Sequence, residues 1–140
     1  MKSDPTDASG PFNLGNMLRG DSRTIEAEAA LRAATRANPA FAEAWYNLAD
    51  LLDDQGRSDA AVECLRKALA VAPEYIDAMF NLALLLQRKG AYAEAADYWR
   101  RYLAGDCASE WATRARRSLK FCEIQLNSVA VTSADSDKAA

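Results

Sequence analysis

The central part of the chain has apolar residues at the spacing of an α-helix. In residues 42–55 they recur at positions i, i+3, i+4 and i+7, as Trp45, Leu48, Ala49 and Leu52. Residues 59–71 show a similar stripe, formed by Ala61, Leu65, Ala68 and Leu69. Each stripe predicts one helix with a single buried face. Gly56 between them predicts a turn, because glycine readily ends a helix. We therefore expect a pair of antiparallel helices.

This pattern returns at a fixed interval. Phe-Asn-Leu-Gly begins at Phe12, Tyr-Asn-Leu-Ala at Tyr46 and Phe-Asn-Leu-Ala at Phe80, so the offsets are 46 − 12 = 34 and 80 − 46 = 34. Other residues follow the same interval, namely Ala27, Ala61 and Ala95, and the prolines Pro39 and Pro73. A helix pair that buries only one stripe needs a neighbouring pair to cover the rest. The interval thus predicts three stacked pairs, in residues 8–41, 42–75 and 76–109.

The pattern resembles the tetratricopeptide repeat, which has a period of 34 residues and the form W-x2-L-G-x2-Y, then A-x3-F, then P. The middle copy matches this form with Trp45, Leu48, Ala49, Leu52, Ala61, Leu65 and Pro73. In the third copy, Cys107 takes the place of the proline. The resemblance implies an all-α fold, an α-α superhelix (solenoid) of three tetratricopeptide helix pairs plus a C-terminal capping helix.

The ends of the chain are expected to differ from the repeats. A further stripe predicts the capping helix at 109–126, with Trp111, Ala115, Leu119, Cys122 and Leu126 on its buried side. Residues 127–140 show no sustained period, and residues 1–7 precede the first copy. We predict disordered tails at 1–7 and 127–140, and a repeat domain at 8–126.

The composition excludes most familiar catalytic sites. The chain has 140 residues and no histidine, so every site that needs imidazole is ruled out. No GxxxxGK[ST] phosphate loop and no GxGxxG is present. The three cysteines lack metal-ligand spacing and are expected to be free thiols packed as small hydrophobes. The sequence therefore predicts no catalytic residues, no metal site and no cofactor.

Charge and hydropathy limit the kinds of partner that the chain is expected to bind. The net charge of −3 and the pI near 5.0 argue against nucleic acid as a ligand. No apolar run approaches the ~18 residues of a membrane span, and residues 1–10 do not resemble a secretory signal. We therefore expect a cytoplasmic protein with no membrane partner. Residues 42–75 hold seven acids and three bases, a net −4, whereas residues 110–126 hold two acids and four bases, a net +2.

The family resemblance implies that the first helix of each pair lines a concave groove. Positions opposite the buried stripe follow from the rotation of ~100° per helical residue. The predicted peptide-binding residues are Asn13, Tyr46, Asn47, Asp50, Asp54, Phe80, Asn81, Leu84 and Arg88. The same face is expected to include Phe12, Asn16, Arg19, Glu43, Asp53, Asp77 and Gln87.

Each type of side chain on this face has two interpretations. The repeated asparagines could clamp the backbone of an extended peptide, since an amide both donates and accepts, or they could bond locally within the array. The repeated aromatics could be binding anchors or could pack against the neighbouring repeat. The acids could attract a basic ligand segment or form a solvated face. Some family members capture a carboxylate with lysines, but here Phe12, Tyr46 and Phe80 occupy those positions.

Three functions remain open at this stage. The leading hypothesis is a non-catalytic scaffold or adaptor that binds a protein or an extended peptide with a basic segment. A self-associating structural protein is the second, because Trp99, Tyr102 and Trp111 cluster near the C-terminal end. The third is a regulatory module, since residues 80–103 and 109–126 are similar to tetratricopeptide segments behind MerR-type bacterial regulators. A homo-oligomer is compatible with the second hypothesis.

Overall fold

The computed structural model describes residues 8–20 and 23–139, with side chains described up to Val129. This described part contains seven helices and no strand. The helices are α1 (Ser9–Gly20), α2 (Thr24–Ala37), α3 (Ala42–Asp54), α4 (Ser58–Val71), α5 (Ile76–Arg88), α6 (Tyr92–Gly105) and α7 (Glu110–Ala139). The fold is all-α, with three helix pairs followed by one long helix, as predicted.

Small residues allow the two helices of each pair to pack closely. α1 packs against α2 and α3 against α4. The repeated alanines of the second helices are fully buried, and they are Ala27, Ala61 and Ala95. Their counterparts Ala49 and Ala83 on the first helices are buried as well. A larger side chain at these positions would push the helix axes apart, because protein interiors are close-packed.

The first pair needs an even smaller residue. Gly15 occupies the position of Ala49 and Ala83 within α1. A Cβ atom on Gly15 would lie 2.7 Å from Cγ of Leu31, a fully buried residue of α2. The glycine of the first tetrapeptide is therefore explained by the close approach of α1 to α2.

Glycines and prolines mark the ends of the helices. Gly56 and Gly90 follow α3 and α5 with φ of 75° and 83°, the left-handed conformation that glycine adopts without strain. α2 and α4 end two residues before Pro39 and Pro73. Ser58 is the first residue of α4, while Arg57 occupies the cap position without a side-chain cap bond.

The last helix is longer than the sequence pattern predicts. α7 continues to Ala139, so the predicted disordered tail at 127–140 is helical up to that residue. No glycine or proline follows Gly105, so nothing in the sequence interrupts a helix that has begun at Glu110. Residue 140 and the predicted tail at 1–7 lie outside the described residues.

The buried side of α7 also differs from the prediction. Ala112, Ala115 and Cys122 are fully buried, whereas Leu119 is half-buried and Trp111 is 54% exposed. The buried stripe therefore begins at Ala112, one residue later than predicted. Burying a small residue there allows α7 to approach α6, against which it packs.

The chain divides into two compact units within α5, one ending at Ala78 and one starting at Met79. In the first unit, the leucines Leu31, Leu48, Leu52 and Leu65 have almost no exposed surface. The N-terminal end of this unit also holds a cluster of Ala8, Ala34 and Ala44, with Phe12 and Phe41 packed on it. In the second unit, the largest fully buried side chain is that of Trp99.

Candidate functional site

Predicted groove residues of α1 and α3 meet at a partly exposed line of polar side chains. Asn47 Nδ2 donates a hydrogen bond to Asn16 Oδ1 at 3.0 Å. Arg19 donates to Asp50 Oδ2 at 2.7 Å and to Asp54 Oδ2 at 2.8 Å. We call Asn16, Arg19, Asn47, Asp50 and Asp54 the polar seam. One turn earlier on α1, Asn13 is exposed to solvent.

The polar seam is nearly balanced in charge. Partial burial by itself would lower the pKa of Arg19, but the hydrogen bonds and charges of Asp50 and Asp54 outweigh this effect and raise it. Arg19 therefore stays charged and offsets one of the two carboxylates. The seam consequently attracts cations less strongly than the acid count of residues 42–75 indicates.

The repeated aromatics pack against the loop that follows their own repeat. The rings of Phe12 and Phe41 have centroids 4.7 Å apart, and those of Tyr46 and Tyr75 are stacked at 5.2 Å. The partners are again one period apart, since 75 − 41 = 34. The structure thus favours the packing interpretation of Phe12 and Tyr46, which the sequence left open.

In the third repeat, the aromatic residue Phe80 has different packing partners. Ser109 stands at the position of Phe41 and Tyr75, so Phe80 has no aromatic partner there. Instead its ring meets Trp99, Tyr102 and Trp111 at centroid distances of 4.9, 5.2 and 5.4 Å. Arg114 lies over the Trp111 ring at 5.0 Å. The C-terminal aromatic cluster is therefore an internal packing element that joins α5, α6 and α7.

The remaining predicted residues of α5 are spread over different environments. Asn81 and Leu84 are half-buried, and Arg88 is exposed as the last residue of the helix. Gln87, expected on the outward face, instead accepts a hydrogen bond from Nε1 of buried Trp99 at 2.9 Å. Sγ of buried Cys122 also contacts the Gln87 oxygen at 3.6 Å. The outward assignment of Gln87 is therefore wrong, because its amide serves as the acceptor for a buried indole.

Asp106 was not singled out by sequence reasoning, yet it organises the loop between α6 and α7. It accepts hydrogen bonds from the Tyr102 hydroxyl at 2.6 Å, from the Ser109 hydroxyl and from the Ser109 backbone N–H at 3.2 Å. These bonds, with that of the Ser109 hydroxyl first, lower the pKa of Asp106 to about 2. Ser109 in turn caps α7, since its hydroxyl accepts from Ala112 N–H at 3.1 Å. The Asp-x-x-Ser sequence directly before a helix is the signal from which this loop and cap could have been predicted.

The basic side of α7 stands where a repeat would bury apolar residues. The four bases Arg114, Arg116, Arg117 and Lys120 are exposed. Adding 34 to the buried α5 residues Leu82, Ala83 and Leu86 gives Arg116, Arg117 and Lys120. In α5 these positions face inward, but in α7 charged side chains replace them. Terminal elements of repeat arrays carry such polar outer faces because no further helix covers them.

The cysteines are free, and two of the three are buried as predicted. Burial raises the pKa of the Cys64 and Cys122 thiols, so both behave as small apolar side chains. Cys107 is exposed instead, in the loop before α7. In the part of the chain that the structure describes, no group of three potential ligands is arranged to hold a metal ion. None of the described helices combines the length and apolarity of a membrane span.

Comparison with family models identifies the repeats. Residues 42–75 match one model of the tetratricopeptide repeat, and residues 77–104 match another. The first match has the same bounds as the second predicted copy. No curated protein matches the chain significantly.

Solved structures show the same helical arrangement in other proteins. The crystal structure of MamA is 30% identical with a TM-score of 0.68, and the match covers 72% of this chain. This chain spans 59% of the length of that MamA chain. The first tetratricopeptide domain of Spaghetti (RPAP3), bound to the HSP90 peptide SRMEEVD, has a TM-score of 0.77 at 18% identity, over 89% of this chain and 96% of its own.

A third structure is the type III secretion chaperone SycD of Yersinia enterocolitica, in complex with a peptide of the translocator YopD. It is 16% identical with a TM-score of 0.77, covering 88% of this chain and 96% of its own. At these identities the likeness to Spaghetti and SycD establishes the fold. Together with the two family matches, it leads to one conclusion. Residues 42–75 and 77–104 of this chain are tetratricopeptide repeats.

Proposed function

We propose that this protein is a non-catalytic scaffold that binds a protein or an extended peptide through the first helices of its repeats. The observation that carries the proposal is the amide pair of exposed Asn16 on α1 and half-buried Asn47 on α3, beside exposed Asn13 of α1. Each amide group has two donor hydrogens and two acceptor lone pairs. The hydrogen bond between Asn47 and Asn16 uses one donor and one acceptor. Both residues therefore keep further donors and acceptors that can form hydrogen bonds with a peptide backbone.

Peptide binding by structures of the same fold supports the class of ligand. The Spaghetti domain is bound to an HSP90 peptide, and SycD is bound to a YopD peptide. Neither relative is close enough in sequence to identify the ligand of this chain. The proposal for this chain therefore takes from them only that the ligand is a peptide.

The charge of the candidate surface favours a ligand with a basic segment over one with a free carboxylate. Phe12, Tyr46 and Phe80 are engaged in ring contacts at the positions where a carboxylate clamp would need lysines. Residues 42–75 carry a net −4, of which Arg19 of α1 offsets one charge at the polar seam, and the fields of the remaining charges raise the local concentration of cationic ligands. We infer that the peptide recognised here is neutral or basic.

Selection of random linear peptides on the immobilised protein tests this function. Peptides that the wild type enriches would be measured by fluorescence anisotropy against the wild type and Asn13→Ala/Asn47→Ala. We expect affinity at least about tenfold weaker for this variant, because two peptide-clamping amides, worth about 1.4 kcal/mol together, are removed. Gln125→Ala/Asn127→Ala on α7 removes two amides elsewhere and should bind like the wild type. Equal affinity for all three proteins, or no enrichment, contradicts the proposal.

Three finer predictions accompany this proposal. They are self-association, a role as a regulatory module behind a MerR-type DNA-binding domain, and a cytoplasmic location. Phe80 packs on Trp99 and Tyr102 within one unit, so this aromatic cluster supports self-association less than the sequence suggests. Sedimentation at high protein concentration separates a monomer from a self-associating protein.

A further inference from the structure

A recess of about 490 Å³ opens beside the N-terminal end of α3, within the unit that ends at Ala78. Glu43 from the first turn of α3 lines one side. The loop between α4 and α5 lines the rest with Ala72, Pro73, Glu74 and Tyr75. The walls thus combine apolar surface, one aromatic ring and two carboxylates.

The two carboxylates of the recess are available to a ligand. Glu43 and Glu74 are both exposed, and neither forms an ion pair with any residue that the structure describes. Asp50 and Asp54 on the same helix α3 are already engaged by Arg19. The recess therefore holds two carboxylates that no described cation compensates.

The aromatic wall is held in place by its own stack. Tyr75 packs on Tyr46 with ring planes 24° apart. Burial first, and then the charge of Glu43, raise the pKa of Tyr75 to about 12, so its phenol stays neutral at physiological pH. Glu43 and Tyr75 both line the recess, so a ligand there meets the ring and this carboxylate together.

The combination of two acids occurs in this repeat and not in the other two. At the positions of Glu43 and Glu74 the first copy has Ser9 and Ala40. The third copy has Asp77 at the first position and Ala108 at the second. The first copy still forms its aromatic pair, Phe12 with Phe41, without either acid. Packing of the loop therefore does not require Glu43 or Glu74, and their presence needs another explanation.

We propose that this recess binds an arginine side chain. A guanidinium is planar, stacks on aromatic rings and donates hydrogen bonds in a fork that matches carboxylates. A lysine ammonium offers neither the flat face nor the fork. The apolar surface of Ala72 and Pro73 suits the aliphatic part of the arginine chain. That the arginine comes from a bound peptide rests on the proposed function, whereas the chemistry of the recess does not.

Titration with Nα-acetyl-L-arginine amide, followed by amide NMR spectra of the 15N-labelled protein, tests the recess without a peptide. We expect saturable shifts at Glu43, Glu74 and Tyr75. The double variant Glu43→Gln/Glu74→Gln should bind at least threefold more weakly. Glu63→Gln/Glu123→Gln removes the same charge from exposed sites on α4 and α7 and should leave the affinity unchanged.

Three outcomes would overturn the inference. They are an absence of shifts at the recess, equal weakening by both double variants, and equal affinity for Nα-acetyl-L-lysine amide. The failure of peptide selection described above leaves this titration unaffected, so the two proposals can fail separately. If selected peptides bind equally well to Asn13→Ala/Asn47→Ala while arginine amide still occupies the recess, only the proposed function is lost.

Discussion

The ring of Tyr46 stacks on the ring of Tyr75, with centroids 5.2 Å apart, at the point where the second repeat passes into the third. Phe12 and Phe41 make the equivalent contact one repeat earlier. The aromatic of each repeated tetrapeptide in these two copies therefore fixes the loop that follows its own helix pair. The repeated aromatics on the candidate binding face thus have a structural cause, and the proposed ligand-binding role rests on the amides beside them.

A double-mutant cycle measures this stack. Tyr46→Leu and Tyr75→Leu each remove one ring while keeping apolar bulk. We expect a coupling of about 0.5–1.5 kcal/mol in the free energy of unfolding, because aromatic pairs contribute about that much beyond area burial. The same cycle between Tyr46 and Tyr98 of α6 should give a coupling near zero. Equal couplings in the two cycles would refute a specific contact. Chemical denaturation monitored by circular dichroism provides the free energies.

Arg19 is expected to contribute modestly and in a salt-dependent way. Replacing it in Arg19→Met removes both ion pairs, to Asp50 and Asp54, while the partners stay partly exposed to water. We expect a loss of about 0.5–1 kcal/mol of unfolding free energy at low ionic strength, which shrinks in molar salt. Arg117→Met on α7 is the control, and it should change stability little at either salt concentration. A loss that salt leaves unchanged would argue against an electrostatic origin.

Gly15 and Gly10 should respond differently to the same substitution. Gly15→Ala forces the new Cβ to within 2.7 Å of Leu31 Cγ, whereas nothing lies within 4 Å of a Cβ on Gly10. Gly10 lies in the first turn of α1 before Pro11, so the intrinsic gain of alanine in a helix interior applies mainly to Gly15 and partly offsets the clash there. Overpacking usually costs about 1–3 kcal/mol, and we expect Gly15→Ala to be less stable than Gly10→Ala. Thermal denaturation of the two variants measures this difference in stability. Equal melting temperatures would show that α1 and α2 can move apart freely.

The loop before α7 should lose stability in acid. The pKa of Asp106 is lowered in the folded state, to about 2, so folding favours its charged form. Its stabilising contribution is therefore complete above the unfolded value near pH ~4 and is lost as the pH falls toward about 2. We expect Asp106→Asn to weaken this part of the acid dependence.

Carboxyl NMR shifts give the titration of Asp106 directly. Ser109→Ala removes the bond that lowers the pKa most, so the midpoint should move upward in that variant. Tyr102→Phe should move it in the same direction, because the phenol hydroxyl is the second donor. A midpoint unchanged in both variants would mean that these hydrogen bonds do not set the charge of the loop.

The helices and their pairing could be predicted because they depend on local and periodic features. The apolar spacing, the interval of 34 residues and the turn glycine Gly56 each act within one repeat, and the structure has helix pairs there. The repeats also support one another's prediction, since small residues recur at the helix contact of all three pairs. Part of the candidate site could be predicted for the same reason, as Asn47 and Asp50 do meet α1 residues at the polar seam.

Contacts that involve a second element at a specific angle could not be predicted in this way. Helical rotation put Gln87 outside, yet its amide is the acceptor for buried Trp99. It put Trp111 on the buried stripe of α7, although Ala112 takes that place. In both cases the position of a neighbouring helix decides which side chain is covered, and one helix's periodicity carries no information about that neighbour.

By itself, the sequence determined that this chain is a series of helix pairs with small residues between them and an apolar face on each. Only the tertiary structure decided that the first pair needs a glycine at position 15, that Arg19 pairs with Asp50 and Asp54 of α3, and that Glu43 and Glu74 share a recess with Tyr75. The physical reason is the range of the interactions. Backbone hydrogen bonding in helices and apolar periodicity depend on residues that are close in the sequence. Close packing and charge pairing arise between segments that folding brings together.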